Sequence, residues 1–206
     1  MLVVGLTGGI GCGKSEVRQR LVGAGFIVLE ADALAKQLSE TDPVIINNIK
    51  RDFGEAMYDA AGRLQRKALA AIVFNDRRQL EKLHGIIHPR VINTVERQIE
   101  ELQQQDEKAV VIEATLHYEV NWHEAMDVMA VVNAPLEKRL AWVMQRDGVD
   151  AEAVRRRMAN QIPLAEKVKR ADYVIENKGD FVELDGEVSK LVVWLKAKVN
   201  LQNRKE

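Results

Sequence analysis

The sequence predicts an α/β protein, with a five-stranded, parallel, doubly wound sheet, an inserted helical subdomain and a helical lid. Three observations predict it. Short apolar runs of strand length recur along the chain, each followed by residues at helical spacing. A glycine-rich phosphate-loop pattern joins the first run to the first helix. Residues 33–107 read as almost continuous helix, more than one crossover needs.

The first strand is the run Leu2-Val3-Val4-Gly5-Leu6-Thr7. Gly8-Gly9-Ile10-Gly11-Cys12-Gly13-Lys14-Ser15 follows and fits G-x-x-x-x-G-K-[ST]. Val17 and Leu21 then lie four apart, a helical spacing. Phosphate chemistry needs this order of strand, turn and helix start. Glycines let backbone N–H groups close around phosphate oxygens, and the helix N-terminus adds unpaired donors and partial positive charge. Lys14 can reach the outer phosphates, and the Ser15 hydroxyl can ligate magnesium.

Gly23-Ala24-Gly25 stops the first helix, and Phe26-Ile27-Val28-Leu29 is the second strand. Glu30 and Asp32 follow at its carboxyl end, where open α/β sheets bind ligands. Asp32 can serve chemistry there, or cap the helix from Ala33 to Leu38, or do both. Within 33–107, Pro43 opens a helix, Gly54 and Asp59-Ala60-Ala61-Gly62 are turns, and Leu64 to Phe74 is apolar at helical spacing. Pro89 is expected in the first turn of a new helix, striped by Val91, Ile92, Val95, Ile99 and Leu102. His84 and His88 have a zinc-like spacing. No third ligand follows, and Pro89 is expected to break the helix between them, so His88-Pro89 reads as a helix-positioning element. This insertion is a natural place for a phosphate acceptor.

Ala109-Val110-Val111-Ile112-Glu113 is the third strand. Its terminal acid can act in the manner of a Walker B carboxylate, and Glu119 is a second candidate. The fourth strand is Asp127–Val132, and Ala134-Pro135 starts a helix carrying Arg139 and Arg146 seven apart, on one face. Asp150 can cap the next helix, on which Arg157 and Gln161 share a face and which Pro163 ends. Residues 137–165 read as a lid bringing arginines over a transferring phosphate, with an ordinary surface hairpin as the alternative. Lys169–Ile175 is the fifth strand, and Phe181 to Leu195 is a closing amphipathic helix before a polar tail. The expected divisions are a nucleotide-binding core of 1–32, 108–136 and 166–206, an acceptor subdomain of 33–107, and the lid.

Composition bounds the function. The chain has 206 residues, 30 basic and 31 acidic, with a formal net charge of −1. That excludes a general nucleic-acid or membrane-surface binder, so anions must be held by local clusters. Aromatics at 5% are too few to make a stacking platform for single strands. Cys12 is the single cysteine, so no intrachain disulfide forms, which fits a reducing compartment. No apolar run reaches the ~20 residues of a spanning helix. The chain opens directly into a strand, with no charged leader, so a cytoplasmic protein is expected.

Taken in order, these segments resemble the dephospho-CoA kinase family, P-loop kinases of the nucleoside-kinase type, over nearly the whole chain. Leu6 to Ser15 is similar to the family's opening LTGGIGSGKS, and Glu30-Ala31-Asp32 to its D-A-D. Gly62-Arg63-Leu64-Gln65-Arg66 with Leu69 and Val73-Phe74, then His88-Pro89, Gln145-Arg146-Asp147, Gln161 and Ala171–Asn177, complete the ordered set. The P-loop alone is shared with many unrelated proteins, and the ordered set is far more specific. The chain departs from the pattern at Cys12 (usually Ser), Glu16 (commonly Thr) and Glu30 (Asp). It also departs at Thr115 and His117, within a segment that in the family tends to P-L-L-x-E.

The resemblance implies ATP-dependent phosphorylation of the ribose 3′-hydroxyl of dephospho-CoA, with magnesium. Residues 8–16 (Gly8, Gly9, Ile10, Gly11, Cys12, Gly13, Lys14, Ser15 and Glu16) would cradle the phosphates, with Ser15 on the metal. Asp32 would be the base and Lys14 the charge stabiliser. Arg139 and Arg146 would clamp from the lid, and Asn177 would sit near the adenine. Partners would be ATP and dephospho-CoA, with no nucleic acid or membrane, in a monomer or small homo-oligomer. A nucleoside monophosphate kinase is the rival enzyme, and a non-catalytic nucleotide-binding protein the rival of another class. The lack of a clear N-K-x-D element argues against a GTPase.

Overall fold

The computed structural model describes residues 1–73 and 76–202. Phe74 and the end of the polar tail, residues 203–206, lie outside the described residues. The chain divides into two compact units, Met1–Glu30 with Glu101–Glu206, and Ala31–Glu100.

The first unit holds a five-stranded parallel sheet in the order β2-β3-β1-β4-β5. The strands are β1 (Leu2–Gly8), β2 (Ile27–Glu30), β3 (Ala109–Glu113), β4 (Val128–Asn133) and β5 (Tyr173–Glu176). The apolar runs are readable because both faces are covered, as parallel sheets require. Strand β4 shows it residue by residue. Val128, Ala130 and Val132 join a core with Val17 and Leu21 of α1 (Lys14–Gly23) and Leu184, Val188, Leu191 and Leu195 of α9 (Phe181–Gln202). Met129 and Val131 point the other way, against Tyr118 and residues that include Leu164 and Val168 of α8 (Leu164–Lys169). Side chains alternate with period two, so one continuous apolar run supplies two cores.

Several boundaries shift by a few residues from the sequence reading, and two shifts have a clear cause. The fifth strand begins at Tyr173, because Lys169 ends α8 and the Asp172 side chain is tied to Met129. Its carboxylate accepts the Met129 N–H at 2.7 Å, which starts the pairing of β5 with β4. Pro163 does not end the preceding helix. Helix α7 (Ala151–Ala159) has already stopped, and Pro163 opens α8, where a missing N–H costs nothing. Asp150 caps α7 through Ala153 N at 2.7 Å. Leu140 and Val143 of α6 (Leu136–Asp147) pack with Val154 of α7 and with Ile10.

The second unit is helical, with α2 (Ala31–Thr41), α3 (Pro43–Phe53), α4 (Arg66–Val73) and most of α5 (Arg77–Gln104). Its core is Ile45, Ile49, Met57, Tyr58, Leu64, Leu69 and Val73. Asp42 caps α3 by accepting from Val44 N at 2.8 Å and Ile45 N at 3.2 Å, and Arg90 holds its second oxygen at 2.7 Å. The expected break at Pro89 does not occur, and α5 runs through it. A proline ring collides with the carbonyl four residues earlier. That residue is Gly85, whose added Cβ would meet nothing within 4 Å, so the backbone there has room to adjust. His84 and His88 therefore lie on one helix, their rings 4.6 Å apart and edge-on.

Candidate active site

The phosphate loop leaves β1 at Gly8 and enters α1 at Lys14. Gly13 sits at φ 81°, in the left-handed region, and a Cβ there would strike the Asn177 amide. Gly9 is needed for a different reason, since a Cβ would strike the Arg139 guanidinium. Glycine thus lets two side chains close directly on the loop backbone. Asn177 Nδ2 donates to Cys12 O at 2.9 Å, and Arg139 Nε donates to Ile10 O at 3.0 Å. Gln161 Oε1 accepts the Ile10 N–H at 3.1 Å. Helix α7 stops short of Gln161, so it shares no helical face with Arg157. The connection to α8 carries it to the loop instead.

Lys14 is half-buried at the first position of α1, and Ser15 is exposed in the first turn. A shared site for magnesium fits this geometry, because that ion takes few protein ligands and keeps phosphate oxygens and waters. The Glu16 carboxylate does not stand bare in the first turn. Arg20 binds it at 3.0 Å and also binds Asp185 of α9 at 2.5 Å. Cys12 is 1% exposed and belongs to the sheet core, and burial pushes its thiol above the usual range against the pull of Arg139 and Lys14.

Glu30 and Glu113 are register neighbours at the ends of β2 and β3. Arg18 pairs with Glu30 and lies 3.6 Å from Glu113, so the two carboxylates share one guanidinium. Arg18 is four residues beyond Lys14 on the same helix face, a signal the sequence offered and its reading passed over. Asp32 is exposed and is the second residue of α2, inside the helix and not at its cap.

Arg139 and Arg146, the two arginines expected over the phosphate, have different surroundings. Arg139 is 8% exposed and bound to the loop. The Arg146 fork is turned onto Asp147, at 2.7 and 3.1 Å, and Arg157 reaches the same carboxylate at 2.7 Å. Hydrogen bonds from Arg146, then Arg157, lower the Asp147 carboxyl to about 2. Arg139, Arg155 and Gln161 border a cavity of about 520 Å³. His117, one of the departures, is fully buried. Its Nε2 lies 2.9 Å from Ile112 O and its ring stacks on Trp122, so it fills a core position. Lys167 was missed altogether. It is fully buried and paired with Glu119 at 2.7 Å.

The sequence model of the dephospho-CoA kinases matches residues 2–183. The chain belongs to the dephospho-CoA kinase family. A dephospho-CoA kinase of Thermobifida fusca is 37% identical over 205 residues, covering 99% of this chain and 100% of that protein. One from Corynebacterium glutamicum is 34% identical over 200 residues, covering 97% and 100%. The solved dephospho-CoA kinase of Campylobacter jejuni is 27% identical and covers 94% of this chain and 96% of its own, with a TM-score of 0.69. A shikimate kinase of Acinetobacter baumannii, 15% identical with a TM-score of 0.54 and coverage of 96% and 95%, shares the fold. Dephospho-CoA kinases thus account for both the phosphate loop and the full span of the chain. Among the described residues no helix is long and apolar enough to cross a membrane.

Proposed function

We propose that this dephospho-CoA kinase transfers the γ-phosphoryl group of ATP to the ribose 3′-hydroxyl of dephospho-CoA, giving CoA and ADP, the last step of CoA synthesis. One observation carries the reading: an intact phosphate loop at the carboxyl end of the central strand, in a chain matched from end to end by dephospho-CoA kinases. The ribose oxygen forms the new P–O bond, the β–γ bridging bond breaks, and the hydroxyl proton leaves to a base. Asp32, just beyond the carboxyl end of β2, is that base. Lys14 and Arg139 stabilise charge on the transferring group, and Arg146 turns from Asp147 to join them. Backbone N–H groups within residues 8–16 hold the β- and γ-phosphates, the Ile10 N–H being taken by Gln161, and Asn177 fixes the loop on the adenine side.

Magnesium, held by the Ser15 hydroxyl, supplies neutralisation of the outer phosphates when bound. Residues 33–107 hold the acceptor. An apolar recess of about 210 Å³ in this helical part, bordered by Leu69, Val73, Ile87, Lys36 and Arg66, suits the apolar arm of a phosphate-bearing acceptor. Residues 137–165 act as the lid, and the protein works in the cytoplasm as a monomer or small homo-oligomer.

The test is ADP release coupled to a reporter, with dephospho-CoA or nucleoside monophosphates as acceptor. Turnover with dephospho-CoA alone is expected. Turnover that needs a nucleoside monophosphate overturns the reading, and tight ATP binding with no turnover on any acceptor supports a non-catalytic protein. Asp32→Asn lowers kcat by about a hundredfold or more if Asp32 is the base. Near-full kcat in a normally folded Asp32→Asn protein removes that assignment.

A further inference from the structure

Lys167 and Glu119 have no role in the reaction as derived so far, yet they occupy an expensive position. The lysine is fully buried and the glutamate side chain is 11% exposed. Burying a charge pair is costly unless its remaining donors and lone pairs are satisfied. Glu119 Oε2 is buried without a hydrogen-bond partner among the described residues, while Glu119 Oε1 and Lys167 Nζ bond to backbone groups that lead to the phosphate loop. Lys167 Nζ donates to Thr115 O at 2.9 Å, and the Thr7 hydroxyl, at the end of β1, donates to the same carbonyl at 3.2 Å. Glu119 Oε1, which holds Lys167 at 2.7 Å, also accepts the Ile162 N–H at 2.9 Å. The residue before Ile162 is Gln161, which holds the Ile10 N–H, and Arg139 holds the Ile10 carbonyl.

These bonds close a ring. It runs from Thr7 through Thr115, Lys167, Glu119, Ile162 and Gln161 to Ile10, and back along the loop to Thr7. Both polar groups of Ile10 are gripped by side chains, and one of these stands on a joint pinned by the ion pair. The two peptides that flank Ile10 are each held by one side chain, so neither can rotate without breaking a bond. Phosphoryl transfer depends on loop donors staying in place as charge moves.

We propose that Glu119 and Lys167 are positioning residues for phosphoryl transfer, fixing the 161–162 joint so that Gln161 sets the peptide before Ile10 while Arg139 holds the one after it. This rests on the kinase reading above. Burial lowers the Lys167 ammonium pKa against the opposing pull of Glu119, and the nearby positive charge of Lys14 adds to the lowering, so the pair lies within the loop's own field.

Removing one partner strands a buried charge and endangers the fold. The test therefore uses the double variant Glu119→Gln/Lys167→Met, which removes both charges at similar volume, together with Gln161→Ala, whose side chain is partly exposed. Turnover of the wild type on dephospho-CoA tests the kinase reading by itself. Given that turnover, the folded double variant is expected to lose about ten- to hundredfold in kcat, with KM for dephospho-CoA unchanged. Gln161→Ala is expected to show a kcat loss of the same kind, and combining it with the double variant should add little further, because both act through one peptide. Lys167→Arg with Glu119 retained should recover part of the kcat. Wild-type kcat in either the folded double variant or Gln161→Ala overturns the proposal. Fully multiplicative losses overturn it as well. If the double variant does not fold, Gln161→Ala decides alone.

Discussion

The side-chain amide of Asn177 donates to the backbone carbonyl of Cys12 at 2.9 Å, tying the turn after β5 to the middle of the phosphate loop. The amide is 5% exposed, and its oxygen accepts the Gly179 N–H at 3.1 Å, so both ends are used. Removing it leaves the buried Cys12 carbonyl without this partner. Asn177→Ala should therefore lower stability by about 1–3 kcal/mol. The loop is also less fixed, so KM for ATP should rise several-fold while KM for dephospho-CoA stays put. Denaturant melts and initial rates at varied ATP check this. A full loss of stability with unchanged KM for ATP would make the bond purely structural.

Glu16 places a negative charge in the first turn of the helix that receives phosphate. Arg20, one turn on, neutralises it at 3.0 Å and is anchored in turn by Asp185. The prediction is that Arg20→Met releases the carboxylate to repel nucleotide, raising KM for ATP several-fold, more at low salt than at high salt. Restoring the family's residue with Glu16→Thr in the Arg20→Met background should return KM to near the wild-type value. No salt dependence, or no rescue, would show that Glu16 does not reach the phosphates.

The strands were legible because they are local statements. Val110, Val111 and Ile112 are fully buried, and a run of such residues can hardly be anything but a covered strand. The loop was legible because glycine spacing encodes its backbone. Pro89 misled because a local rule, proline as helix breaker, was overridden by a long helix with Gly85 one turn before it. Lys167 was illegible for a different reason. It sits among polar residues in a short helix, and nothing in Leu164–Lys169 says that it is fully buried. Its partner lies near β3, far off in sequence, and only the fold joins them. The same holds for Arg139, whose pattern promised a phosphate clamp and whose structure adds a bond to Ile10.

Cys12 lies in the phosphate loop, and the sequence suggests that any adduct on it would block ATP. The structure turns the thiol inward. It is 1% exposed among core residues, and burial holds it in the protonated form. A thiol in that state reacts poorly, because the thiolate is the nucleophile. Iodoacetamide should label native protein orders of magnitude more slowly than denatured protein, and ATP should slow it further by closing the loop. Once labelled, the protein should bind no ATP. Native labelling at the rate of a free thiol would contradict the buried position.

His88 supplies a pH signature for the helical unit. Its Nε2 is buried without a hydrogen-bond partner among the described residues, and its ring meets His84 edge-on. Burial lowers its pKa to about 4, with His84 adding to the shift and Asp32 opposing it. The sign follows from the two states. Above the ordinary histidine range both folded and unfolded chains carry a neutral ring, and His88 makes no pH-dependent contribution. As pH falls from about 6.5 to about 4, the unfolded chain takes up a proton that the folded chain refuses, and stability is lost over that window. The loss approaches about 3 kcal/mol at one pKa unit per 1.36 kcal/mol. Below about 4 the folded ring protonates too, and this loss levels off. His88→Asn should remove most of the slope between pH 6.5 and pH 4, while the acid denaturation driven by carboxylates such as Asp147 remains at lower pH. Urea melts of the two proteins at steps through that range make the comparison. An unchanged slope in the variant would mean that His88 takes up its proton in the folded chain as readily as in the unfolded one.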